Sequence, residues 1–458
     1  MSIEVPQALL EKHNIAGPRY TSYPTIPIWS AEYSADEYRR ALQTLNDRKA
    51  DDLSIYLHLP FCASHCHYCG CNSIASQKRE VVEGYLDRVE RELEMVTGII
   101  GTGRRIVQIH WGGGTPNYLN DAQLERALNL FKTRFTLDTH SEVSLEVDPR
   151  ISNPEQIAHL RKLGFNRISL GVQDFERNVQ EAIGRIQSKQ RTLDVFKACR
   201  ESGFEGVNLD IVYGLPEQTG ESFKKTLASI IGLKPDRVAC FSYAHVPWVK
   251  PQQKLVKTGN LPNAYDKFSL FQTAIDMFND AGYDWIGIDH FALRQDELSI
   301  ALRERRLHRN FMGYTTRPAM HMLAFGMSAI SEIADCFVQN NSDLQKYYDA
   351  IDAGGFPIVR GHTLTRDDRM RRMAIIHLMC NLELPYNLTI DEFGAGLDAL
   401  LPDELHQMRK YEEEGFLIFE SDKIRVTELG RFFVRNVCME LDAYLDRDSG
   451  SRRFSKTI

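Results

Sequence analysis

The chain has 458 residues, 43% hydrophobic and 26% charged, with a formal net charge of −7, enough for one large domain and a smaller one in an ordinary enzyme composition. The negative balance argues against a nucleic-acid partner held by general electrostatics. There is no apolar run near roughly 18 residues and no N-terminal apolar h-region, so neither a membrane span nor a secretion signal is expected.

Residues 1–50 read as an N-terminal extension. Within it, Gly17-Pro18-Arg19-Tyr20-Thr21-Ser22-Tyr23-Pro24-Thr25 is not expected to be helical with two prolines so close. Such an aromatic, irregular arm either packs on a surface or reaches into a site. Leu53 to Leu59 is rich in apolar residues and stops at Pro60, which cannot donate to a sheet ladder; it reads as a strand ending in a loop. Val82, Tyr85, Leu86, Val89, Leu93 and Val96 then recur at helical spacing. Strands are expected at 106–111, 143–147, 167–173, 206–213 and 237–244, with helices between them at 124–135, 157–163, 192–199 and 223–231.

Six strands alternating with helices over about 200 residues predict a parallel sheet closed into a full or partial barrel. Chemistry in such barrels gathers at the C-terminal strand ends. The polar and glycine signals fall there: the cysteine loop after Pro60, Gly112-Gly113-Gly114-Thr115, Glu146, Gln173, Asp210 and the Tyr243-Ala244-His245 turn.

Residues 264–282 read as another helix, and 307–316 as an aromatic, polar loop facing a site. From about residue 360 the pattern becomes helix-rich. Leu405 to Tyr411 (helix), Phe416 to Phe419 and Ile424 to Val426 (strands), and a helix from a Thr427 cap to Leu445 resemble a winged helix. At this net charge a lid or packing role is expected of it rather than DNA binding. Three segments are thus expected: an extension over 1–50, a barrel with its C-terminal extension over 51–350, and a mostly helical, winged-helix-like domain over 360–458.

Four of the nine cysteines fall between positions 62 and 71. The spacing Cys62-x3-Cys66-x2-Cys69 brings three thiolates together from one short loop, as a multi-iron cluster requires. A zinc site completed by His65 or His67 would be cramped, and no second Cys/His pair follows at zinc spacing. A disulfide framework does not suit a large chain with five scattered other cysteines; a reducing cytoplasm does. Cys71 is a possible fourth ligand, although only Gly70 separates it from Cys69. With three ligands, one iron is left open to a small chelating molecule, and the amine and carboxylate of S-adenosylmethionine suit that position. A glycine run at the next strand end lets backbone approach such a ligand without Cβ clashes.

Cys62-x3-Cys66-x2-Cys69 followed by Gly112-Gly113-Gly114-Thr115-Pro116 resembles the signature of the radical S-adenosylmethionine superfamily. From the GPRYTSYPT arm to Arg435-Asn436-Val437-Cys438, the chain is similar to the oxygen-independent coproporphyrinogen III oxidases. Glu146-Val-Asp-Pro-Arg150, Gly171-Val-Gln-Asp-Phe175, Asn208 to Pro216 and His308-Arg-Asn-Phe311 carry that likeness too. The resemblance implies a partial (β/α)6 barrel, a [4Fe-4S] cluster on Cys62, Cys66 and Cys69 with Cys71 a bystander, and two S-adenosylmethionine molecules. The first would contact Tyr56, Gly113, Glu146 and Ile330; the second Tyr68, Gly114, Thr115, Gln173, Arg185, Asp210 and Ala244. It also implies a tetrapyrrole substrate, for whose carboxylates Arg19, Arg309 and Arg317 are candidates by type. A small electron-transfer protein as reductant and a monomeric state are expected as well. Radical methylation or ring opening of a tetrapyrrole, and haem-binding chaperone activity, are the alternatives. Three positions depart from the family pattern: Tyr68 for Phe, Met312 for Gln, and His321 for Asp within 317–326. The last two are expected on the substrate side.

Overall fold

The computed structural model describes residues 3–317, 319–445 and 454–457; Pro318, inside the departing stretch, lies outside them. The chain divides into two compact units.

The larger unit holds residues 30–262 and 319–363. Its parallel strands are β1 (Leu53–Leu59), β2 (Arg104–Gly113), β3 (Phe135–Val147), β4 (Arg167–Gln173), β5 (Gly206–Tyr213) and β6 (Arg237–Ser242). β7 (His321–Phe325), β8 (Ile330–Ile333), β9 (Cys336–Asn340) and β10 (Ile358–Thr363) follow as a meander. Within this unit the strand order is β10-β9-β8-β7-β1-β2-β3-β4-β5-β6, so β1 lies inside the sheet with β7 parallel on one side and β2 on the other. The parallel six-strand expectation and the barrel topology are as found. A C-terminal extension of the barrel was expected, but its strands β7–β10 were not, because a five-residue run such as His321–Phe325 has no flanking helix period to mark it.

β1 is covered on both faces, and its alternation separates an apolar side from a polar one. Leu53, Ile55, Leu57 and Leu59 are fully buried on one face, under helices, while Ser54, Tyr56 and His58 point to the other. The longer helices between the parallel strands are α1 (Val81–Ile100), α2 (Asp121–Lys132), α3 (Pro154–Leu163), α4 (Lys189–Glu201) and α5 (Gly220–Leu233). Side chains of Asn120, Asn153, Ser188 and Thr219 cap α2 to α5. α2 ends at Lys132 rather than running to residue 135, since Phe135-Thr-Leu is taken into a longer β3.

The second unit holds residues 1–29, 263–318 and 364–458. The GPRYTSYPT arm is packed inside it: Tyr23 is 1% exposed, Tyr20 donates to Asp442, and Arg435 donates to the Pro18 and Gly17 carbonyls. A three-stranded sheet pairs Glu383–Pro385 and Leu417–Phe419 with Lys423–Val426 between them. Thr427 does receive a cap-like bond, from the Gly430 N–H at 2.9 Å. The chain beyond it is helical over 430–441, as a 3-10 segment (Gly430–Phe433), an α-helical turn (Val434–Cys438) and a second 3-10 segment (Met439–Leu441), and stops short of the expected Leu445. No helix among the described residues is long and apolar enough to cross a membrane.

Candidate functional site

Beyond Pro60, the loop from Phe61 to Ala75 is pinned at both ends. Phe61 and Cys62 pair with Ile74 and Ala75, and the Gly114 and Thr115 N–H groups donate to the Leu59 and Phe61 carbonyls at 2.8 and 2.9 Å. A Cβ on Gly114 would lie 2.4 Å from the Pro60 carbonyl oxygen, so the triple glycine first serves the approach of the chain's own two loops. Gly113 adopts φ +111°, and a Cβ there would meet the His58 ring at 2.4 Å.

The loop borders a cavity of about 450 Å³ at the C-terminal strand ends. Cys62, Cys66 and Cys69 line it, together with Tyr68, Gly114, Thr115, Glu146, Gln173, Arg185, Asp210 and Ala244. All seven residues assigned above to a second cofactor molecule are therefore gathered, but only Glu146 of the first set. Gly113 adjoins the wall through its N–H, 3.3 Å from Glu146 Oε2. Tyr56 lies on β1 in register with Ala324 of β7, stacks on His110 at 6.1 Å and reaches His58 Nδ1 at 3.2 Å. Ile330 opens β8. Since Met322 of β7 pairs with Glu332, the antiparallel register carries Ile330 level with Ala324 and hence with Tyr56.

Each of the three thiols receives a hydrogen bond. The Thr115 hydroxyl donates to Cys62 Sγ at 3.2 Å, the Cys71 N–H to Cys69 Sγ at 3.4 Å, and both Arg185 and Arg150 to Cys66 Sγ at 3.6 and 3.7 Å. Donors of this kind tune a thiolate-bound cluster. The Cys71 contact holds the Cys69 thiol down to about 6, with the Lys250 charge assisting. Burial pushes the Cys62 thiol up to about 11, so its proton must be displaced on metal binding. Among the described residues no three His, Cys, Asp or Glu side chains converge tightly enough to hold one metal ion. A cluster instead takes one thiolate per iron from more widely spaced ligands, so the donor set fits it.

Arg185 has a partner that its sequence did not announce. It bonds Asp148 through both terminal nitrogens, at 3.1 and 3.0 Å, and the Gly171 carbonyl at 2.8 Å. Arg150 also clasps Asp148, at 2.7 Å. Burial alone would raise the Asp148 carboxyl, but the two guanidiniums outweigh it and hold it below the usual range. The trio keeps one net positive charge at the cavity wall. Asp148 and Arg150 stood in the Glu146-Val-Asp-Pro-Arg motif, yet nothing in their spacing assigned them to the thiol. Across the cavity, Asp210 accepts from Ser169 at 2.9 Å and Asn208 at 2.7 Å. Burial and then the Glu146 charge push its carboxyl up to about 7.

A segment that sequence reasoning missed altogether clamps the loop: Lys250 donates to the Cys71 carbonyl (2.9 Å), Gln252 to Cys69 (2.8 Å) and Gln253 to Tyr68 (2.9 Å).

One expectation is corrected. His321 is not at the chemical end of the sheet, because it pairs with Leu53, the first residue of β1, whereas the cysteine loop follows Leu59. Met312 sits between two short strands of the second unit, its N–H on Asn310 Oδ1 at 2.8 Å. Arg19, Arg309 and Arg317 belong to the same unit: Arg19 pairs with Asp289, Arg309 donates to the Arg19 carbonyl at 2.8 Å, and the Arg317 N–H bonds Thr315 at 3.0 Å.

Residues 56–230 match the Radical SAM superfamily, and residues 364–433 match the HemN C-terminal domain. An oxygen-independent coproporphyrinogen III oxidase from Salmonella typhimurium is 41% identical over 98% of both chains. The chain belongs to the oxygen-independent coproporphyrinogen III oxidase family. A Helicobacter pylori member is 38% identical over 96% of this chain and 97% of its own. Coproporphyrinogen III oxidase (HemN) from Escherichia coli, described as a radical SAM enzyme, superposes with a TM-score of 0.92 at 39% identity, covering 97% of this chain and all of that one. Within the family frame, the hydrogen-bonded thiols and the Asp148–Arg185 pair are features of this chain's own structure.

Proposed function

We propose that this chain decarboxylates two propionate side chains of coproporphyrinogen III oxidatively, without oxygen, to the vinyl groups of protoporphyrinogen IX, each propionate losing one hydrogen atom to the radical, carbon dioxide, and one electron to an acceptor other than oxygen. The observation that carries the reading is the set of three hydrogen-bonded thiols on one cavity, in a chain 41% identical end to end to enzymes of that name. Cys62, Cys66 and Cys69 would hold a [4Fe-4S] cluster, which with S-adenosylmethionine supplies a 5′-deoxyadenosyl radical able to take hydrogen from a propionate.

The chain's own residues do the remaining work. Thr115, Arg150 and Arg185 direct positive hydrogen-bond density at Cys62 and Cys66, stabilising the charge of the bound thiolates. The spare positive charge of the Asp148–Arg150–Arg185 trio suits a cofactor carboxylate, and Glu146 suits an ammonium. Asp210, held by Ser169 and Asn208, presents its carboxyl to a ribose hydroxyl. Two cofactor molecules are proposed because the residues fall into two groups, Tyr68 to Ala244 lining the cavity, and Tyr56 and Ile330 on the β1–β7–β8 row with Gly113 at the end of β2, on the other side of β1.

The test is anaerobic incubation of reconstituted protein with coproporphyrinogen III, a reductant and S-adenosylmethionine. Protoporphyrinogen IX and two equivalents of carbon dioxide are expected. Cofactor cleavage without that product would overturn the reading, and product mass would separate methylation or ring opening from it.

A further inference from the structure

We propose that the exposed face formed by the cysteine loop and residues 246–257 docks an acidic one-electron carrier protein, which reduces the cluster. The inference rests on the cluster reading above.

The two segments form one surface. Lys250, Gln252 and Gln253 bind the carbonyls of Cys71, Cys69 and Tyr68, so residues 248–255 lie directly against the thiol-bearing loop. Ser64, His65, Gly70 and Cys71 are exposed on that loop at the mouth of the cavity, which they line. Beside them stand three exposed apolar side chains, Trp248 at 58%, Val249 at 61% and Leu255 at 63%. An exposed apolar patch next to a redox loop, with an aromatic residue in it and charges around it, has the make-up of a protein interface.

Charge selects the partner. The chain carries −7 overall, yet residues 53–79 contain no Asp or Glu, and neither do residues 237–265. Lys78 and Arg79 stand exposed shortly after Ala75, which pairs with Cys62, and Lys254 and Lys257 stand exposed around Leu255. Glu80 and Glu217 stand at its margins, Glu217 with its N–H on the Asn260 carbonyl, but the two segments carry only basic charges, and a lysine-bearing apolar face on an acidic protein attracts a partner of the opposite sign and orients it. The electron has only a short route to travel: from the surface at Gln252, through one hydrogen bond, to the Cys69 backbone. In the exchange the carrier loses one electron and the cluster gains one, with no atom transferred. A tetrapyrrole is also anionic, so it is the competing occupant.

The test compares wild type with the Lys254→Glu/Lys257→Glu double variant and with Trp248→Ala. The probe is an acidic FMN-binding carrier protein, photoreduced to its hydroquinone. Calorimetric titration of the cluster-free chains with carrier should show binding to wild type, weakened by salt, and at least tenfold weaker binding to the double variant. In reconstituted protein, bleaching of the cluster by the carrier should slow at least tenfold in the double variant, while bleaching by dithionite stays within twofold. Unchanged melting midpoints exclude misfolding. Equal rates with the carrier for wild type and both variants, or equal slowing with dithionite, overturns the proposal. So does a variant whose only change is a raised KM for the tetrapyrrole. A wild-type chain that assembles no cluster refutes the cluster reading itself, whereas carrier-dependent bleaching without decarboxylation refutes only the substrate.

Discussion

Glu92 on α1 tests how far burial dominates in this fold. It is 3% exposed, yet its carboxylate faces three donors: the Gly326 N–H (2.9 Å) and the Tyr347 hydroxyl (2.7 Å) on Oε2, and Asn340 Nδ2 (2.6 Å) on Oε1. Burial outweighs the three and pushes the carboxyl up to about 7. The folded state thus holds a proton that the unfolded chain has released above about pH 4.3. The stability contribution is complete below that value and is lost as pH rises towards 7. At about 1.4 kcal/mol per pH unit the loss approaches roughly 3–4 kcal/mol. Glu92→Gln has no such proton, so its stability relative to wild type should improve over the same window. A constant penalty accompanies it, because the new amide sets a donor against Asn340 Nδ2, which also serves the Gly326 carbonyl at 2.9 Å. That mismatch costs about 1–3 kcal/mol. Thermal melts of wild type and variant at pH 5 and pH 7.5 isolate Glu92, since other titrating groups cancel. At about 2 °C per kcal/mol the gap between midpoints should change by about 5 °C in the variant's favour at the higher pH. A gap identical at both pH values would refute the argument.

Other outcomes follow from the cavity. Cys66→Ser should abolish cluster iron and sulfide content, while Cys71→Ser, which keeps its backbone donor to Cys69, should retain most of it; equal losses would make Cys71 a ligand. Arg185→Ala strips a buried carboxylate of its bidentate partner and should destabilise the fold by about 3 kcal/mol. Arg150→Ala, more exposed, should do so by less than half as much, read from melting midpoints. Asp210 is protonated below about 7. Equilibrium dialysis should therefore show S-adenosylmethionine binding to wild type strengthening between pH 6 and pH 8, and a flat profile for Asp210→Asn.

The sequence made the parallel strands legible because each is a run of apolar and β-branched residues ended by a turn; 167–173 and 206–213 match residue for residue. The cysteine loop was legible because its spacing is local. What escaped was assembled across distance. Asp148 and Arg185 are 37 residues apart and meet only because β3 and β4 are neighbours. The Lys250–Gln253 clamp reaches back almost 180 residues to carbonyls, which carry no sequence signature. The expected helix to Leu445 is found in part, as three consecutive short helical segments over 430–441 that begin at Gly430, where a Cβ would meet the Phe416 carbonyl.

His321 shows how a departure from a family pattern is judged by place rather than by identity. The ring is 3% exposed. Its Nδ1 accepts the Ala334 N–H at 3.3 Å, which leaves the proton on Nε2 to be donated to Asp51 Oδ2 at 3.0 Å. Burial lowers its pKa further, so the ring is a neutral, fully bonded group. It ties the start of β7 to the residue pair preceding β1, where Arg104 also binds the Asp51 carbonyl at 3.1 Å. A histidine at the chemical end of the sheet would put the substrate in question. At the opposite end, six residues of β1 before the cysteine loop, it ties β7 to β1, the internal strand that carries Tyr56, and is not among the residues lining the cavity.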